Sequence, residues 1–151
     1  MAPKKTATRK AAAEKSAAVG RKEGAKRASR KSATIASEAE YLAITAARIA
    51  DETKAENIVV LDVSAVSSIT DFFVLCTGSS LPHLKAIVRD VRHKVFELLG
   101  VKPRSSEGQA ESQWLVLDFG TVMVHAFHQS KRELYALEDL WSDARPIDWM
   151  A

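Results

Sequence analysis

Few residue groups in this chain have the types and spacing for chemistry, and each competes with a plainer role. Thr77-Gly78-Ser79-Ser80 lies between an apolar run and a helical pattern. Backbone amides at a helix N-terminus can hold a phosphate. The spaced Gly-Lys-Ser/Thr of a P-loop is missing, so a tight turn with a helix cap is the favoured role. Metal-dependent nucleotidyl transfer also starts from Gly-Ser on a helix, but it needs paired carboxylates to hold Mg²⁺. Asp118 stands alone, with no Asp-x-Asp or Asp-x-Glu at a strand end. His125, His128 and Asp118 lack the supporting motif of a ligand set, so no metal and no cofactor are expected. His83 and His93 fall on one helical pattern and read as partly exposed surface groups. The single cysteine, Cys76, excludes an internal disulfide. Its setting in Phe-Phe-Val-Leu-Cys reads as a small buried hydrophobe and not as a nucleophile.

The element that must position Asp118 and His125 is a β-hairpin over residues 114–127, WLVLDF and VMVHAF joined by Gly120-Thr121. Gly at the first turn position suits a type II′ turn, because glycine alone takes φ > 0 there without cost. In that register Phe119 lies opposite Val122, Leu117 opposite Val124, and Leu115 opposite Ala126, an apolar face predicted to be core. The other face carries Trp114, Val116, Asp118, Met123, His125 and Phe127, because side chains alternate along a strand. Large aromatic groups beside polar ones are either covered by a helix or offered to a partner.

Around the hairpin, Ser37 and Glu40 make a capping box, so the domain and its first helix are predicted to start near Ser37. Residues 58–63 and 71–78 read as strands, the second apolar on both faces and therefore central. A helix of about twenty residues follows from Ser80, with Gly100 as its stop. Residues 101–113 read as a polar loop. Ser130 to Trp141 reads as one last helix with Leu134, Leu137 and Trp141 on a shared face. Its bases Lys131 and Arg132 come early and its acids Glu138 and Asp139 late, against the macrodipole preference. Its polar side is either a solvated face or a charged contact surface around Tyr135 and Trp141, and burial of Trp141 is also expected. The sum is an α/β fold, a single compact domain over 37–151 with a mixed β-sheet flanked by helices.

Charge divides the chain at the same boundary. Residues 1–36 hold eleven Lys or Arg and two Glu, 11 − 2 = +9; residues 37–151 hold eleven against seventeen, 11 − 17 = −6. The sequence pI of about 9.1 is thus a property of the tail. The domain is mildly acidic, which argues against a broad nucleic-acid-binding surface. The tail is too poor in large apolar residues to fold alone and is expected to be disordered. It reads as an electrostatic arm for RNA, as a solubilising tail, or as a mitochondrial transit peptide. No stretch approaches the ~20 apolar residues of a membrane span, and no secretory h-region is present.

Four blocks, ITDFFVLCTGSS, HLKAIVRDV, WLVLDFGTVMVHAF and KRELYALEDLWSDA, resemble the Iojap-like ribosomal silencing factor family in order and spacing, over about residues 38–148. The resemblance implies a nucleotidyltransferase-like fold without that catalytic apparatus, and so no enzyme. It implies binding to the large ribosomal subunit at large-subunit ribosomal protein fourteen. There the factor blocks joining of the small subunit and represses translation under nutrient limitation. Bacterial members are cytoplasmic, organelle members exist, and free members tend to dimerise. Trp114, Asp118, Gly120 and His125 match the family's hairpin positions. Tyr135, Leu137, Glu138 and Trp141 match its last helix, and Asp71 and Gly78 the motif around the second strand. These eight hairpin and last-helix residues are the expected contact with the ribosomal protein. Thr121 departs from the usual Asp after the turn glycine. Two rival readings remain: a divergent metal-dependent nucleotidyltransferase, and an RNA-binding ribosome assembly protein acting through the tail.

Overall fold

A computed structural model describes residues 29–151, and the expected disorder of the tail lies outside them as far as Ala28. Helix α1 runs Ser29–Glu52, so Ser37 and Glu40 sit inside it and do not open it. No Gly or Pro stands between Ser29 and Ser37. With no helix breaker in residues 29–36, the helix extends through them and continuation outcompetes the cap. Strand β1 (Glu56–Asp62) and the fully buried strand β2 (Phe72–Gly78) follow. Helix α2 spans Leu81–Leu99; the Ser80 side chain accepts from the His83 N–H at its start, and Gly100 ends it at φ 70°. The Thr77–Ser80 segment thus serves as the helix cap. Strands β4 (Trp114–Asp118) and β5 (Val122–His128) form the hairpin, with Gly120 at φ 91° in its turn.

The remaining elements correct the sequence reading. The polar loop contains a short strand, β3 (Ser105–Glu107), and a 3₁₀ turn (Ala110–Ser112). A further short strand, β6 (Arg145–Ile147), lies near the end of the chain. Both are three residues long and mostly exposed, so neither carries an apolar alternation to read. The last helix is two: α3 (Gln129–Tyr135) and α4 (Leu137–Leu140), broken at Ala136, which adopts φ 44°, ψ 54°. The break removes the shared face: Leu137 and Trp141 are buried, whereas Leu134 is 43 % exposed. It also resolves the charge order, because Arg132 falls in the last turn of α3 and Glu138 and Asp139 in the first turn of α4. Those three charges then sit at the helix end that favours them, whereas Lys131 stays in the first turn of α3.

The six strands form one mixed sheet in the order β3-β4-β5-β2-β1-β6. Only β2 and β5 run parallel. The hairpin register is the predicted one, Leu115 opposite Ala126 and Leu117 opposite Val124. Those residues, with Val74, Cys76 and Val60, face α1 and α2, which contribute Leu42, Ala46, Ile49, Leu84, Ile87, Val91 and Val95 to one core. On the opposite face Phe73, Leu75, Val116, Met123 and Phe127 pack with Leu61, Val63, Ile69, Leu137 and Trp141. Fully burying each large apolar side chain contributes about 1.5–3 kcal/mol, so both faces stabilise the sheet. A central strand apolar on both faces is what two cores require.

Candidate protein-binding face

Strand alternation places Trp114, His125 and Phe127 on the sheet face away from α1 and α2. Trp114 pairs with Phe127 across the hairpin, and Val116 with His125. The three rings stack: Trp114 on Phe127 at 5.4 Å between centroids and 14°, Trp114 on His125 at 5.9 Å and 22°. Tyr135, the last residue of α3, leans on Trp114 at 5.1 Å. Below them Phe73 meets His125 at 5.1 Å and Trp141 at 5.4 Å, both edge-on, a geometry that aromatic quadrupoles favour.

A polar contact helps to orient this cluster. Trp114 Nε1–H donates to His125 Nδ1 at 3.1 Å. An indole is a donor only, so Nδ1 is the acceptor and the His125 ring proton sits on Nε2. His125 is 3 % exposed and cannot present its ring to a partner; its position beneath Trp114 fixes the indole plane. Trp114 and Tyr135 are half-buried and form the accessible rim, with the exposed Leu134 on the same short helix as Tyr135.

The other expected contact residues divide between this cluster and two further places. Leu137 and Trp141 are buried beneath the rim. Glu138 is half-buried and paired with Arg132 at 3.2 Å. Asp118 lies at the far end of β4, four residues or roughly 13 Å along the strand from Trp114, with Gly120 in the turn beyond it. Asp118 is 3 % exposed. Its Oδ1 accepts from the Gly120 N–H at 2.7 Å, and its Oδ2 faces Arg104 Nε and Nη2 at 3.3 Å. That carboxylate is committed to the turn and to the β3 side of the sheet. Asp71 lies beside the same turn, its N–H donating to the Thr121 carbonyl at 3.1 Å. Gly78 is at the opposite end of β2, where a Cβ would stand 2.7 Å from Leu84 Cδ2, so glycine lets α2 close on the sheet.

Two residues have roles that spacing did not reveal. Arg132, read as part of a charged surface, is 7 % exposed. Its Nη1 donates to the Asn57 carbonyl and to Thr77 Oγ1, and its Nε and Nη2 reach Glu138. Asn57 presents that carbonyl from an irregularity in β1, with φ 49°. No sequence signal links residues 75 apart. His83 is partly exposed as expected and also bridges two elements: Nδ1 accepts from the Ser79 N–H at 2.9 Å, and Nε2 lies 2.7 Å from the Thr53 carbonyl. Cys76 is fully buried as expected, and burial pushes its thiol pKa up to about 12, Arg132 opposing.

Residues 36–150 match the family model described as "Ribosomal silencing factor during starvation". The chain belongs to that family. The ribosomal silencing factor of Bacillus subtilis is 38 % identical over 103 residues, which are 68 % of this chain and 86 % of that protein. A Chromobacterium violaceum crystal structure shares the fold with a TM-score of 0.62 at 33 % identity, covering 70 % of this chain and 85 % of that one. A mouse relative, 37 % identical over 93 residues, is named mitochondrial assembly of ribosomal large subunit protein 1; the match covers 58 % of this chain and 40 % of that protein. In this ribosomal silencing factor the match takes in the hairpin and the aromatic rim. No described helix is long and apolar enough to cross a membrane.

Proposed function

We propose that this silencing factor binds the large ribosomal subunit, at large-subunit ribosomal protein fourteen, and sterically blocks joining of the small subunit when nutrients are scarce. It acts without catalysis, in the cytoplasm, or in mitochondria if the basic tail is a transit peptide. The observation that carries the reading is the half-buried aromatic rim of Trp114 and Tyr135, held from beneath by His125 and Phe127. Rigid aromatic groups set on a packed base are the usual anchors of protein interfaces. A patch of roughly 800 Å² per side suffices for a specific contact. Leu137, Glu138 and Trp141 act by shaping that face, Asp118 and Gly120 by holding the hairpin turn at its far end, and a surface overlapping or adjoining the face serves a homodimer when the factor is free. The carboxylate tied to Arg104 and the Gly120 amide gives the nucleotidyltransferase reading no support.

Sedimenting purified subunits with and without the protein tests this. Co-migration with the large subunit and loss of joined ribosomes are expected; normal joining without binding would overturn the reading. Trp114→Ala, folded by circular dichroism, is expected to lose co-sedimentation, whereas Trp114→Phe keeps part of it. Retained binding by a folded Trp114→Ala variant would reject the rim as the contact. The mouse relative's name favours a second reading, a ribosome assembly protein, for which the basic tail would supply the RNA contact. Under it, deleting residues 1–36 abolishes function; under silencing, the deletion only weakens binding to rRNA and its salt dependence.

A further inference from the structure

On the opposite side of the sheet from the aromatic rim, the outer face of α2 carries Lys85, Arg89, Arg92 and Phe96. These fall at i, i+4, i+7 and i+11, one stripe along the helix. All four are exposed, Phe96 by 46 %. Facing the stripe is the segment from Lys102 to Ser106, and the two enclose a groove of about 710 Å³ lined by Arg89, Arg92, Phe96, Lys102, Ser105 and Ser106. The Lys102 ammonium sits 5.0 Å from the Phe96 ring centroid. A shallower extension carries the groove on to Lys85, with Glu111 at its margin. Of the acids nearby, Asp90 meets Thr53 Oγ1 at 2.9 Å and Arg89 at 3.4 Å, and Glu97 meets His93 at 2.8 Å, while Glu107 and Glu111 are exposed on the β3 side. Four cations therefore gather in a domain whose residues sum to −6.

We propose that this groove binds single-stranded RNA, with Lys85, Arg89, Arg92 and Lys102 on successive phosphates and Phe96 as a stacking platform for a base. Lys85 to Arg92 spans about 10.5 Å along the helix. A groove that pairs a line of cations with an exposed ring is the arrangement that takes single strands without sequence choice. An acidic protein segment would meet the same cations, and competition between RNA and polyglutamate separates the two. The inference does not depend on the ribosomal protein contact, which lies on the other face of the sheet.

The test uses the full chain and fluorescence anisotropy with a labelled, unstructured single-stranded RNA over a salt series. Arg89→Gln with Arg92→Gln is expected to weaken binding and to lower the slope of log K against log salt by about 1.4, two phosphates at about 0.7 each. Phe96→Ala is expected to lose about fivefold or more in affinity with the slope unchanged. Lys54→Gln with Lys94→Gln, equal in charge but away from the groove, is the control. Equal effects of both double variants, or no effect of either, would overturn the proposal by assigning RNA affinity to general charge or to the tail. Full affinity for RNA in Phe96→Ala, with polyglutamate competing as well as RNA does, would overturn it in favour of an acidic protein segment. Subunit co-sedimentation of the same variants separates this outcome from failure of the silencing reading.

Discussion

Single side chains in this protein divide into those that meet the surroundings and those that hold them in place, and burial makes the division. Trp114 and His125 illustrate it. Both are hairpin residues on one face, yet one is half-buried and the other 3 % exposed, joined by a 3.1 Å hydrogen bond. Cys76 is the simplest case of residue chemistry removed by position. Its thiol is fully buried with a pKa raised from 9.0 to about 12. A thiolate is the reactive species, so near neutral pH the native thiol is inert. We expect Ellman's reagent to label Cys76 only at the rate of unfolding, and promptly in urea. Fast labelling of the native protein would show that β2 is accessible.

Elements owe their ends to competing local and tertiary demands. The capping box at Ser37 loses to helix continuation, whereas Ser80 and Gly100 cap α2 as their types predict. At the C-terminal end the αL turn at Ala136 carries a penalty that alanine does not avoid. Packing holds it in place: it puts Leu137 and Trp141 into the second core and lets Arg132 reach β1 and β2. Arg132 thereby ties α3 to the sheet beside the aromatic rim. Arg132→Ala is expected to destabilise the fold by about 2–3 kcal/mol, since the hydrogen bonds of a buried charge are lost and Glu138 is left unpaired. Chemical denaturation measures this, and a change below about 0.5 kcal/mol, the range of ordinary surface substitutions, would show that the network is not structural. Subunit binding by the same variant should fall as the rim loosens.

For the whole molecule, the two faces of the sheet carry different duties: helices cover one, and a thinner layer of α4 and aromatic rings covers the other. The sheet closes at its far edge by β6, where Arg145 Nη2 reaches Asp62 Oδ2 at 2.8 Å. Burial alone would raise the pKa of Asp62, but hydrogen bonds from the Ser64 side chain and N–H, with Arg145, lower it below 3.8. A lowered carboxylate pKa means the unfolded chain binds the proton more tightly. Its stabilisation is therefore present above the unfolded value and is lost as pH falls through the folded one. Urea midpoints taken from neutral into acid pH should fall less steeply for Asp62→Asn than for the natural chain; parallel profiles would remove Asp62 from the acid response. Much of this architecture was readable from residue types. Alternation fixed the hairpin register and both of its faces, heptad-like spacing fixed α2, and Gly120 fixed the turn, because these are short-range rules acting between residues close in the chain. Four matching blocks identified the family. The break at Ala136, the edge strands β3 and β6, the burial of Arg132 and the groove along α2 were not readable. Each depends on partners far away in sequence, as Arg132 depends on Asn57 and Thr77, and no local pattern encodes which distant groups a fold will bring together.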